Sequence, residues 1–196
     1  MAPDTITENS IYKSRNGAMY QEILKFWFEE IDESKWWAKD DAFDQLLHDK
    51  YAKLHTAAAQ GELYEWRSTA EGRLAEVIIL DQFSRNIYRN TPKAFAYDGQ
   101  ALILAQEAIR VGADQALTPA KRSFFYLPFM HSESSKIHEV AVQLYKANGV
   151  GANLDFEIKH KAIIDIFGRY PHRNAILGRE STPEEIEFLK QPDSGF

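Results

Sequence analysis

Apolar residues recur at steps of three and four through almost all of the 196-residue chain, and the two-residue alternation of a half-buried strand is nearly absent. A chain patterned this way buries its apolar atoms only by packing helical stripes against one another, so the fold class is all-α. A first helix is expected over residues 18–31 with Ile23, Phe26, Trp27 and Ile31 as its stripe. A second is expected over 40–60, with Phe43, Leu46, Leu47, Tyr51, Leu54 and Ala58 on one face and Gly61 as its C-terminal cap. Ser68 and Glu71 have capping-box spacing and would open a third helix through Leu74, Val77, Ile78 and Leu80. Thr91-Pro92, Thr118-Pro119 and Ser181-Thr182-Pro183-Glu184-Glu185 each pair a cap residue with a first-turn proline. Between them the spacing predicts helices over 97–111, closed by Gly112, and 120–127, broken at Pro128. Two more follow over 135–147 and 154–167. Seven to nine helices on short links predict a single domain over residues 17–196, built of stacked antiparallel pairs as a bundle or a short superhelix. Residues 1–16 and the last six carry little periodic apolar content and are expected to be loosely ordered ends.

With 44% hydrophobic and 13% aromatic residues, the chain can bury one sizeable core but not two. Its 23 basic and 29 acidic residues give a net charge of −6, which argues against a nucleic-acid partner held by general phosphate neutralisation. Zero cysteines exclude disulfides, thiolate zinc sites and thiol catalysis, and fit a reducing compartment. The opening residues, 1–8, have neither a basic end nor an apolar stretch, so no secretory signal is expected. The densest apolar run, Val77-Ile78-Ile79-Leu80, is far short of the roughly 20 residues that cross a bilayer. A cytoplasmic protein with no membrane partner is the expectation.

Three segments carry charged and amide groups where the core should continue. Gly168-Arg169-Tyr170-Pro171-His172-Arg173-Asn174 crowds two guanidinium groups, an imidazole and a carboxamide around a proline. Asp81 and Arg85, four residues apart, follow the all-apolar run, with Asn86 next in line and Arg89 on the solvated side. His131-Ser132-Glu133 ends the aromatic stretch that contains Pro128. Buried charges must be paired, and such pairing is how binding and catalytic sites are made. His160 falls on an inward seam with Phe156, Ile163 and Phe167, on the helix that leads into the Gly168 turn. If the segments converge, His131, His172, Glu133 and Asp81 are the candidate catalytic acid/base groups. Arg85, Asn86, His160, Arg169, Arg173 and Asn174 are then the candidate ligand-binding groups.

Each feature also has a structural reading. Asp81–Arg85 would serve as a strut between helix ends, His160 as a hydrogen-bonded core residue, and Ser132 or Ser134 as a helix cap. The four tryptophans are expected in the core and at helix junctions. No G-x-S-x-G elbow, phosphate-binding glycine loop or H-E-x-x-H occurs, and Glu157-x-x-His160 lacks the second copy that a di-iron bundle needs. No metal or other cofactor is called for.

The chain resembles the family catalogued as domain of unknown function 924, over roughly residues 17–196. The resemblance rests on Ile23-Leu24-Lys25-Phe26-Trp27-Phe28, Trp36-Trp37, the 57–63 stretch, Leu80-Asp81-Gln82-Phe83-Ser84-Arg85-Asn86, Tyr126 to Glu133, His160, Phe167 to Asn174 and Ser181 to Glu185. The family pattern often carries proline where this chain has Ser84. The resemblance implies a compact, tetratricopeptide-like all-α fold with a fixed polar cluster, and no established activity. Two functional readings follow. The first is a pocket for a small anionic ligand bearing a phosphate or carboxylate, with acid/base chemistry possible at its histidines. The second is a scaffold that presents a groove to a peptide or protein partner, the polar clusters being structural. Oligomeric state is not legible in the sequence.

Overall fold

In the computed structural model of the chain, residues 19–192, 194 and 195 are described; the expectations for residues 1–16 lie outside them. Helix α1 (19–25) runs into a π-helical turn, Phe26–Glu30, that buries Phe26 and Trp27. Asp40 caps α2 (Asp41–Ala59) by accepting from the amides of Ala42 and Phe43, and Gly61, at φ 77°, turns the chain beyond its end. Helix α3 (Ala70–Ile78) continues without a break through a π-helical turn, Ile79–Phe83, into α4 (Ser84–Ile87). Then come α5 (Asp98–Arg110), α6 (Pro119–Met130), α7 (Ser135–Asn148), α8 (Gly151–Phe167), α9 (Asn174–Leu177) and α10 (Pro183–Leu189), joined by short 3₁₀ turns. No strand occurs among the described residues.

Packing follows chain order: α3 lies on α5, α6 lies on α3, α5 and α7, and α8 covers α7. The main core gathers Trp27, Leu47, Leu74, Val77 to Leu80, Phe83 and Phe125, all fully buried. Removing these side chains from water is the chief stabilising term. The wide turn Ile79–Phe83 falls where the α3 helix passes through this core, so every residue of it is buried, Asp81 and Gln82 included.

Several local expectations are corrected. Thr69, not Ser68, caps α3, its hydroxyl accepting from the Gly72 amide, while Ser68 turns back to the Glu65 carbonyl. Pro128 does not break α6; it lies in the last turn, and His131 N still bonds Leu127 O at 2.9 Å. Only the bond that the residue-128 amide would have made is lost, and burial of Phe124 to Met130 outweighs it. Phe156 is 50% exposed, because the inward seam of α8 is Glu157, His160, Ile163 and Ile164. Leu46 and Trp37 also face outward. Ser134 occupies the N-cap position of α7 without a side-chain capping bond.

Candidate functional site

Asp81 lies 1% exposed inside the wide turn, where a solitary carboxylate would be strongly disfavoured. Three groups answer it. His131 Nδ1 approaches Oδ1 at 2.7 Å, Gln82 Nε2 donates to Oδ2 at 2.5 Å, and Arg85 Nη1 stands 3.4 Å from Oδ1. Burial alone would raise the Asp81 pKa, but the Arg85 charge and the hydrogen bonds from His131 and Gln82 more than offset it and hold the carboxyl below its usual range. An ionised carboxylate only accepts hydrogen bonds, so His131 Nδ1 carries the proton. Burial and the Arg85 charge lower the His131 pKa against the opposing pull of Asp81. The imidazole is therefore neutral at pH 7, with its Nε2 lone pair bare, and Nε2 has no hydrogen-bond partner among the described residues.

Asp98, at the start of α5, ties the remaining charges together. Arg85 forks onto it at 2.9 and 3.0 Å, and Arg173 Nη1 reaches the same carboxylate at 3.2 Å. Arg173 Nη2 donates to the His131 carbonyl at 3.1 Å. Its guanidinium is sandwiched between the Phe95 and Tyr170 rings, 4.6 Å from each centroid, which fixes its plane. Two cations sharing one carboxylate leaves Arg173 short of counter-charge. Among the described residues its Nε is buried without a partner, and burial with the nearby Arg85 lowers its pKa.

The turn that delivers Arg173 is set locally. Gly168 ends α8 at φ 67°, Tyr170 is extended as a residue before proline should be, and Pro171 starts a 3₁₀ turn. Tyr170 is its anchor: its hydroxyl donates to Met130 O, and its amide donates to Glu133 Oε1 at 2.8 Å.

Beside this cluster opens a cavity of about 280 Å³. His131, Ser132, Glu133, Asp98 and Arg173 line it together with Phe95, Leu102, Pro128 and Leu177. The structure thus brings His131, Glu133 and Arg173 to one cavity, with Asp81 and Arg85 directly behind.

Other residues singled out in the sequence do not line it. Asn86 donates to Asp44, as does Arg89, which is therefore an ion-pair partner of Asp44 and not a solvated group; both belong to a second concavity along α2. Arg169 forks onto Glu185, and Asn174 joins that pair through Glu185 Oε2 and Ser181. They anchor α10 to the turn. His160 gives its Nδ1 to the Phe156 carbonyl, and burial pushes its pKa down to about 3. His172 stays off the cavity lining, and burial lowers that imidazole to about 4. Glu133, though on the cavity wall, has its carboxylate engaged by the Arg179 fork at 2.7 and 2.9 Å. Burial opposes but does not cancel the lowering of its pKa by that fork.

Asp98, Phe95 and Arg179 were not singled out in the sequence. Asp98 looks like an ordinary first-turn acid of α5, yet two arginines expected to be buried demand a second carboxylate besides Asp81, and that demand was the available signal. A further buried pair, His138 and Glu157, was also missed. His138 Nε2 lies 2.8 Å from Ser132 O and must donate to it, while Nδ1 lies 2.7 Å from Glu157 Oε1. Burial raises the Glu157 pKa, against the opposing hydrogen bond to His138. Among the described residues, no group of three or more histidines and carboxylates is arranged to hold a metal ion.

Fold and cavity define an all-helical protein with a small cavity of mixed lining where the start of α5, the end of α6, the turn after α8 and α9 meet. Residues 23–193 match the family of bacterial proteins of unknown function designated DUF924, and the chain belongs to that family. Its fold is similar to that of a solved protein of unknown function from Agrobacterium tumefaciens, 43% identical, covering 89% of this chain and 98% of that one with a TM-score of 0.85. Comparison with curated proteins found no match. No helix among the described residues is long and apolar enough to cross a membrane.

Proposed function

We propose that the cavity binds a small molecule with an acidic group, and that His131 serves there as a general base and acid. One observation carries the reading. The Asp81–His131 pair fixes a neutral imidazole whose Nε2 has no partner among the described residues, on the wall of a cavity that Arg173 also lines. In this reading Arg173 holds the ligand's anion and Asp81 keeps the imidazole in one tautomer. His131 Nε2 accepts a proton from the ligand and returns it. Glu133 acts as a wall and through Arg179, not as a proton carrier. Asp81 and Arg85 position the site, and Arg169, Asn174 and Asn86 support it from outside. The zero-cysteine composition suits a cytoplasmic setting.

A scaffold for a peptide or protein partner is the second reading. The Arg169–Glu185 and Arg179–Glu133 forks favour it, since they behave as struts. A thermal-shift screen of carboxylated and phosphorylated metabolites, run on the parent, Arg173→Ala and His131→Ala, separates the two. A stabilising hit lost in both variants supports the cavity. No hit on the parent, with both variants much less stable, leaves the cluster as structure only.

A further inference from the structure

Charge and lining narrow the ligand further. The cavity cluster holds Asp81, Asp98 and Glu133 against Arg85, Arg173 and Arg179, three carboxylates against three guanidinium groups, with His131 neutral. A balanced cluster has room for one added negative charge at the under-compensated Arg173, but two would face Asp98 and Glu133, which line the same cavity. A phosphate monoester carries between one and two charges at pH 7, with its second pKa near 6. The other lining residues, Phe95, Leu102, Pro128 and Leu177, have apolar side chains that favour an apolar body over a sugar or a polyol. At ~30 Å³ for each water-sized group, 280 Å³ holds about nine of them.

Resting on the ligand-site reading above, we infer that the cavity selects small monocarboxylates with an apolar body of about the size of benzoate or hexanoate, and that Asp98 is the residue that rejects dianions. Its carboxylate fills the Arg85 fork and takes Arg173 Nη1, so an anion entering the cavity beside Arg173 also lies beside the Asp98 charge. Asp98 is thus a specificity device as well as a counter-ion.

The test is calorimetric titration with benzoate, hexanoate, 1-hexanol, inorganic phosphate and phenyl phosphate at pH 7.5 and 5.5. One charge-assisted contact separates hexanoate from hexanol, so hexanoate should bind about tenfold tighter or more. Phenyl phosphate should bind better at pH 5.5, as the monoanion, than at pH 7.5, while hexanoate changes little. Asp98→Asn should raise phenyl phosphate affinity at pH 7.5 by about tenfold; the pH comparison needs no variant and stands if that one fails to fold. Tighter binding of phenyl phosphate than of either carboxylate at pH 7.5 overturns the selectivity while leaving a ligand site in place. Equal binding of hexanol and hexanoate overturns the role given to charge. No binding by any of the five probes removes the inference and the reading beneath it together.

Discussion

Replacing Asp81 by asparagine changes one oxygen to nitrogen at a position 1% exposed, and the consequences can be worked through contact by contact. Arg85 keeps its fork on Asp98, so no cation is stranded. Gln82 Nε2 and His131 Nδ1–H, however, both need acceptors, and an amide offers one oxygen. Either a donor faces a donor, or His131 moves its proton to Nε2 and turns a bare nitrogen on the cavity wall into an N–H. A hydrogen bond to a charged group contributes about 1.5–3 kcal/mol, so the loss should be roughly 2–3 kcal/mol. For a chain of this size that lowers Tm by about 5–10 °C. Asp81 has a depressed pKa, so its contribution is complete above the unfolded carboxylate value near 3.9 and disappears only as pH falls below it. Differential scanning calorimetry at pH 7 therefore sees the whole effect. A Tm within about 2 °C of the parent would refute the reasoning, because it would mean that the Asp81–His131 bond holds nothing in place.

Gly72→Ala should destabilise, although alanine normally favours a helix by about 1 kcal/mol, because an added Cβ would lie 2.1 Å from the Trp66 carbonyl oxygen. Chemical denaturation should show a loss of about 2 kcal/mol or more, and a gain would contradict the packing. Glu157→Gln should be nearly neutral in a thermal melt, since an amide can donate to His138 Nδ1 while the ring's Nε2–H stays on the Ser132 carbonyl. A drop of more than about 5 °C would instead indicate a buried ion pair. Burial holds His55 near pKa 4 and His160 near 3 in the folded chain. A depressed histidine pKa means that the unfolded chain takes up protons first, so this stability is intact above about pH 6.5 and falls as pH drops towards those values. By pH 4.5 each should have cost roughly 2–3 kcal/mol, visible as a steep fall in urea midpoint; a flat profile from pH 7 to 4.5 would contradict it.

Helix positions were legible because they depend on nearby residues. The α2 and α5 helices ended at Gly61 and Gly112, and the 168–171 turn formed as Gly168, Tyr170 and Pro171 require. Where tertiary packing competes with a local signal, the local signal failed: α6 runs through Pro128 because its last turn is buried on all sides. Seam assignment on α8 slipped by one residue, putting Phe156 inward in place of Glu157. Hydrophobicity marks Phe156 more strongly than it marks a carboxyl whose partner, His138, is 19 residues away. Pairing across the chain was the least legible. Asp81 and His131 are 50 residues apart, and Asp98 is 13 from Arg85 and 75 from Arg173. The polar residues announced that partners must exist, but only the stacking of α5 against α3 decided that Asp98 would be one.

The most direct test is a long-range ¹H–¹⁵N spectrum of the His131 imidazole in the parent protein at pH 7, assigned with His131→Gln and followed as hexanoate is added. A neutral ring protonated at Nδ1 is expected, with a bare Nε2 resonance that moves as the ligand saturates. An Nε2–H tautomer or an imidazolium would contradict the Asp81-held base, and an Nε2 signal that stays still at saturating hexanoate would contradict its place on the ligand's wall of the cavity.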